Sequence, residues 1–131
     1  MKRKAKYLLS SRNGRRAIYV DEENYDEILN YWTRDLRHKK KFRFMSEVIV
    51  EGKYTSKQYK KVEINKRCKN VTEMRFFVSE ENDRIYCKEV SSPTGTYIIV
   101  AAILHERKKS EDLSATEISL IEKVGTYNYE L

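Results

Sequence analysis

Residues that interrupt regular structure are scarce in this chain, which has one proline and four glycines among its 131 residues. It contains neither a low-complexity segment nor an internal repeat, so nothing in the sequence divides it into linkers and modules. Apolar runs stay well below the roughly 20 residues that span a bilayer. The basic start, residues 1–6, is not followed by the long apolar segment of a secretory signal. We therefore expect a cytoplasmic protein with no membrane partner.

Cysteine and histidine are equally scarce, with two of each. Cys68 and Cys87 are too far apart in sequence for a zinc-ligand spacing or a disulfide framework, so we expect buried or incidental thiols. His38 and His105 are isolated from each other and from any pair of carboxylates. The sequence therefore predicts no metal site and no cofactor.

Acidic residues are few in the first half of the chain. Residues 1–70 contain 20 lysines and arginines against 9 aspartates and glutamates, a net charge of +11, whereas residues 71–131 contain 7 against 11. Lysine-rich faces attract polyanions because binding releases counterions. An ordinary solvated surface, or a face that attracts an acidic protein, is the alternative. The cations that we expect to contact RNA are Lys39, Lys40, Lys41, Arg43, Lys57, Lys60, Lys61 and Lys66.

Helical periodicity dominates the centre of the first half, after a tight-turn signal at Asn13-Gly14. Asn24 and Glu27 have the spacing of a capping box, and apolar residues at every third or fourth position follow them. We expect Trp32 in the core and His38 exposed in a loop between two helices. The predicted elements are strands at Ala5–Ser10 and Ala17–Val20 and helices at Tyr25–Arg37 and Phe42–Glu51.

The periodicity changes near residue 70, where β-branched and aromatic runs alternate with turn-forming segments. Three consecutive antiparallel strands are the simplest arrangement. Ser114 and Glu117 then have capping-box spacing at the start of a last helix, which Gly125 ends. The predicted strands are Met74–Val78, Arg84–Val90 and Thr96–Leu104.

This order of elements predicts one α+β domain over residues 1–131, with residues 1–20 as an N-terminal strand or hairpin extension. We expect two layers, in which the helical hairpin and the C-terminal helix pack on one face of an antiparallel sheet.

Three short motifs resemble those of the RelE/HigB-type toxins of bacterial toxin-antitoxin systems, in a phage-related branch of the RelE/ParE superfamily. Glu73-Met74-Arg75 is similar to the family's Glu-Leu-Arg at its second strand, and Asp83-Arg84-Ile85-Tyr86 is similar to its Tyr-Arg-x-x-Tyr strand. Lys108-Lys109, followed by the segment to Ile118, is similar to its paired lysines before a C-terminal helix. The resemblance covers Tyr25 to Val124 and implies a RelE-like fold.

The resemblance also implies metal-independent cleavage of messenger RNA on the ribosome, by attack of a ribose 2′-hydroxyl on the adjacent phosphate. Arg84 is the expected transition-state clamp, because a guanidinium holds phosphate oxygens in a fixed fork, and Arg75 is expected on the same sheet face. Lys108 and Lys109 are expected to bind flanking phosphates or to transfer protons. His105 is the best base or acid, because histidine ordinarily titrates near neutrality.

We expect Arg84, His105 and the paired lysines to converge on one concave face at the open edge of the sheet. The implied partners are messenger RNA, the ribosome and a cognate helix-turn-helix antitoxin that covers the basic face.

Each of these residues has a simpler alternative role. Arg75 and Arg84 can pair with Glu73 and Asp83, the paired lysines can be a solvated turn, and His105 can be bonded to backbone at a strand end. Glu106 stands where the family usually has phenylalanine. The alternative function is a non-catalytic superfamily member that acts by binding, such as a ParE-like gyrase inhibitor or a phage accessory protein.

Overall fold

The computed structural model describes residues 2–106 and 114–131, and its elements form an α+β fold around one curled, mixed sheet. In chain order these elements are β1 (Arg3–Ser10), β2 (Arg16–Asp21), α1 (Tyr25–Trp32), α2 (Leu36–Val50), β3 (Tyr59–Lys61), a 3₁₀ helix (Lys66–Cys68), β4 (Val71–Phe76), β5 (Asp83–Ser91), β6 (Tyr97–His105), α3 (Ala115–Gly125) and β7 (Tyr129–Glu130). The strand order is β3-β4-β5-β6-β2-β1-β7. The α+β class is confirmed.

The sheet is mixed rather than antiparallel, because β2 runs parallel to β6. The predicted meander of β4, β5 and β6 is confirmed as antiparallel, and β1 and β2 form the predicted N-terminal hairpin. However, β6, the last strand of the meander, lies next to β2, and the two strands run parallel. Both strands are buried where they pair, at Ile18 against Ile99 and Val20 against Ala101. Sequence periodicity does not predict this pairing, because it joins segments that are far apart in the chain.

The helical hairpin is confirmed, but its break lies earlier than predicted. The first helix ends at Trp32 rather than Arg37, and the second begins at Leu36 rather than Phe42. Asp35 is the reason, because its side chain accepts a hydrogen bond of 2.9 Å from the backbone N–H of His38 and caps α2. The expected capping box at Asn24 does not form, and the Asn24 side-chain amide donates a hydrogen bond of 2.8 Å to the Ala102 carbonyl in β6.

The helices occupy both faces of the sheet, which corrects the prediction that they share one. Helices α1 and α2 cover the face that presents Ile85, and Trp32 is buried there as expected. Neighbouring Tyr86 points to the opposite face, where Ile121 and Val124 of α3 cover it. The capping box that opens α3, between Ser114 and Glu117, is confirmed. It fixes α3 over the sheet face that carries the predicted catalytic residues.

Candidate functional site

Three of the predicted catalytic residues lie side by side across β4, β5 and β6. Arg75 is paired with Arg84 in the β4–β5 register, and Arg84 is paired with His105 in the β5–β6 register. Cross-strand partners point to the same face of a sheet, so the expected shared face of Arg75 and Arg84 is confirmed. The adjacency of Arg84 and His105 is confirmed as well. Lys108 and Lys109 lie outside the described residues.

The Arg84 guanidinium is enclosed rather than open to solvent. Arg84 is 0% exposed, in an interior strand of the sheet, and its Nε lies 3.4 Å from Oε2 of Glu73. The same carboxylate oxygen lies 3.3 Å from Nε of Arg75. One buried acid therefore lies between two like-charged arginines and offsets their repulsion. In this arrangement Arg84 does not form an open face with His105, in contrast to the expected concave site.

Helix α3 covers this cluster on the same face of the sheet and contributes a second buried carboxylate, that of Glu117. The Tyr86 hydroxyl donates a hydrogen bond of 3.3 Å to Glu117, which is also the acidic member of the α3 capping box. Burial and the adjacent Glu117 charge raise the pKa of Tyr86 well above its usual range. The His105 ring stacks on Tyr86, with ring centroids 6.3 Å apart. His105 is half-buried and therefore lies at the accessible rim of the cluster.

Glu106, the next residue after His105, is exposed and bound to the helical hairpin. Its carboxylate lies 2.7 Å from Nη1 of Arg34, which in turn lies over the ring of Tyr31. The Tyr31 hydroxyl donates a hydrogen bond of 2.6 Å to Asp83, the residue before Arg84. Burial, and this bond to Asp83, raise the pKa of Tyr31 above its usual range. This chain of contacts ties α1 to the ends of β5 and β6.

Sequence reasoning missed a polar pair at the start of α2. His38 was expected to be exposed in a loop, but it is buried, and its Nδ1 lies 2.7 Å from Oδ1 of Asp35. The His38 ring also contacts Tyr31 and Phe77 edge to face. Hydrogen bonds from His38, first of all from its backbone N–H, hold the pKa of Asp35 below its usual range. The spacing of Asp35 and His38, three residues apart, is the signal of an N-cap that the sequence already carried.

The predicted RNA-binding cations divide between the two sides of the sheet. All eight are exposed except Lys41, which is half-buried. Lys41 and Lys57 line one depression together with Arg75. Lys66 instead lies in the 3₁₀ helix, which packs against α3 on the opposite face. The remaining members, Lys39, Lys40 and Arg43 of α2 and Lys60 and Lys61 of β3, are exposed on their own elements.

The described residues contain no cluster of three or more histidine, cysteine or acidic side chains that could hold a metal ion. Both cysteines are buried, and burial raises the pKa of the Cys87 thiol well above its usual range. Within the same ranges, no helix is long and apolar enough to cross a membrane. Compared with known proteins, the chain matches no family model, no curated protein and no solved structure.

Proposed function

We propose that this protein is the toxin of a toxin-antitoxin system, of the RelE/HigB type, and that it cleaves messenger RNA on the ribosome. The observation that supports the proposal best is the alignment of Arg75, Arg84 and His105 across three adjacent strands. The chain leaves this alignment at His105 and reaches Lys108 and Lys109 three and four residues later. Phosphate chemistry without a metal requires a base, an acid and positive charge near the phosphorane, and a histidine, two arginines and a lysine pair are groups of these kinds.

In the proposed reaction a base takes the proton of the ribose 2′-hydroxyl, whose oxygen forms a bond to the adjacent phosphorus. The bond from phosphorus to the 5′-oxygen breaks as an acid, His105 or one of the paired lysines, protonates that oxygen, which leaves a 2′,3′-cyclic phosphate. His105 is the group that accepts or donates a proton, since it lies at the accessible rim. Arg84 offsets the negative charge that develops on the phosphorane, which requires that it exchange Glu73 for the phosphate. Arg75 shares the Glu73 carboxylate and assists that exchange. Lys108 and Lys109 bind the flanking phosphates.

The partners in this proposal are messenger RNA, the ribosome and a helix-turn-helix antitoxin. The exposed cations of α2 and β3 supply the affinity for RNA, and an antitoxin that covers them blocks access. The site of action is then the cytoplasm, where ribosomes translate.

The burial of Arg84 favours a second candidate function, in which the protein binds another macromolecule and cleaves nothing. A guanidinium that is 0% exposed and 3.4 Å from a buried carboxylate has a structural role that needs no substrate. In that case the exposed basic residues act alone, on a protein or nucleic-acid partner.

Cleavage of a message on purified ribosomes, together with growth arrest on expression, tests the proposal. Loss of a group that acts only in the transition state lowers the rate by about 10²-fold or more. We expect such a loss in His105→Ala and in Lys109→Ala, and in Arg84→Ala where circular dichroism shows a folded chain. Lys123→Ala, an exposed cation on α3, is the control and should keep full activity.

The two candidate functions give different results in this experiment. Full activity in both His105→Ala and Lys109→Ala contradicts the catalytic assignment. A parent protein that arrests growth without cleaving any message supports the binding function instead.

A further inference from the structure

The outer side of α2 carries a groove whose apolar residues have no part in the site described above. Leu36 and Phe44 are 67% and 51% exposed. They are eight residues apart, so they lie on the same side of the helix and about 12 Å apart along its axis. Together with Phe77, from the segment after β4, they line a groove of about 720 Å³. Single exposed apolar residues are ordinary, but several that line one groove indicate an interaction surface.

The wall opposite α2 is held in an unusual backbone conformation. Phe77 has a φ of 52°, in the left-handed region that bulky residues rarely adopt. Its carbonyl accepts backbone hydrogen bonds from Glu80 at 3.0 Å and from Asn82 at 2.9 Å. Such a conformation persists only where the surrounding structure fixes it, and it is found most often at functional sites. The backbone that carries both walls of the groove is therefore held in place by hydrogen bonds.

The rim of the groove is positively charged. Arg37, Lys40 and Lys41 line it. Arg37 lies over the Phe77 ring at 3.8 Å, and its charge is offset by Glu80 at 3.2 Å and Glu81 at 2.9 Å. Three cations against two carboxylates leave a net charge of +1, and the cations without such a carboxylate partner among these groups are Lys40 and Lys41. An apolar floor with a cationic rim is complementary to a surface that has apolar residues bordered by carboxylates.

We propose that this groove docks an acidic amphipathic helix of a partner protein. Apolar residues seven or eight positions apart on such a helix match the separation of Leu36 and Phe44. Glutamates or aspartates beside them face Lys40 and Lys41. The groove is separate from the Arg84–His105 cluster, so this inference does not rest on RNA cleavage.

Other occupants fit the groove less well. A single-stranded nucleic acid gains most from stacking its bases on aromatic rings. In this groove the Phe77 ring is already covered by the Arg37 guanidinium at 3.8 Å and Leu36 has no ring, so Phe44 alone is left for stacking. A second copy of the chain that presented its own α2 would bring together like charges. These occupants are outcomes that the experiment distinguishes.

The full-length protein can be tested with a designed helical peptide that has leucines at heptad positions and glutamates beside them. The matched control peptide has every glutamate replaced by glutamine. We expect the acidic peptide to bind, with ¹H–¹⁵N shifts concentrated in residues 36–44 and at Phe77. Leu36→Ser and Phe44→Ser should each weaken binding about tenfold, as for central apolar contacts of an interface. Ile64→Ser, which changes an apolar residue that is 37% exposed elsewhere, should leave binding unchanged.

Charge is tested by the double variant Lys40→Glu/Lys41→Glu, which should bind the acidic peptide at least tenfold more weakly. The proposal is wrong if the glutamine peptide binds equally well, or if the acidic peptide causes no shifts in the groove. RNA is expected to shift only the lysines of the rim, so the proposal is also wrong if single-stranded RNA shifts Leu36, Phe44 and Phe77 as much as the peptide does. A dimer in sedimentation that Leu36→Ser abolishes assigns the groove to a second copy and overturns the proposal as well.

Discussion

Replacement of Gly125 by alanine tests how closely α3 approaches the rest of the fold. Gly125 is the last residue of α3, and a Cβ built there lies 1.9 Å from the Arg67 carbonyl oxygen and 2.9 Å from its carbon. Ordinary contacts of a Cβ begin at 3.4 Å, so the helix end would have to retreat by about 1.5 Å. The atoms in the way are backbone, which no side-chain rotation can move aside.

Two effects of opposite sign determine the result. Alanine favours helix over glycine by about 0.5–1 kcal/mol, which on its own would stabilise the protein. Overpacking of a close contact costs about 1–3 kcal/mol or more. Retreat of α3 also withdraws the buried Ile121 and Val124 and lengthens the 2.7 Å hydrogen bond from Lys88 to the Gly125 carbonyl. We therefore expect Gly125→Ala to lower the free energy of unfolding by about 2–4 kcal/mol.

Urea unfolding followed by circular dichroism and by Trp32 fluorescence measures this change. Trp32 is buried in the opposite core, so a shift of its transition reports on the whole domain. Two controls separate the causes. Ser119→Ala, exposed within α3, should stabilise by a few tenths of a kcal/mol through helix propensity. Gly14→Ala meets no atom within 4 Å but has a φ of +72°, so it should cost only about 1 kcal/mol. If Gly125→Ala is as stable as the parent, or more stable, the close approach of α3 to the 3₁₀ helix is wrong.

Three further predictions concern the buried charges, the buried tyrosines and the basic surface. Glu73→Gln removes the buried carboxylate that lies between Arg75 and Arg84, and it should lower the free energy of unfolding by about 3–5 kcal/mol. An unchanged urea midpoint would contradict the pairing. Burial raises the pKa of Tyr31 and of Tyr129, and so do the hydrogen bonds from Tyr31 to Asp83 and from Tyr129 to Asp21. Above about pH 10 these tyrosines therefore lose their protons in the unfolded chain but keep them in the folded chain. The free energy of unfolding should then fall by up to about 1.4 kcal/mol per pH unit for each tyrosine, and Tyr129→Phe should reduce the slope of urea midpoint against pH. The logarithm of the binding constant for single-stranded RNA should fall by roughly 0.7 for each tenfold rise in salt concentration and for each phosphate that is neutralised. A binding constant that does not change with salt would show that the cations of α2 and β3 are an ordinary solvated surface.

The sequence by itself determined the elements whose signals are local. The N-terminal hairpin, the antiparallel meander and the capped α3 follow from a tight turn, a two-residue period and a box of Ser114 with Glu117. Each depends on residues a few positions apart, so it can be predicted without the rest of the fold. The adjacency of Arg84 and His105 was predictable for the same reason, since a single hairpin joins their strands.

Only the tertiary structure decided where these elements meet. The parallel pairing of β2 with β6, and the position of α3 across the sheet from α1 and α2, depend on contacts between distant segments. Local periodicity does not predict such contacts, because it shows which face of an element is apolar but not which other element covers that face. The environment of Arg84 was decided in the same way. The sequence supplied the arginine, and the packing of β4 and α3 against β5 enclosed it with Glu73.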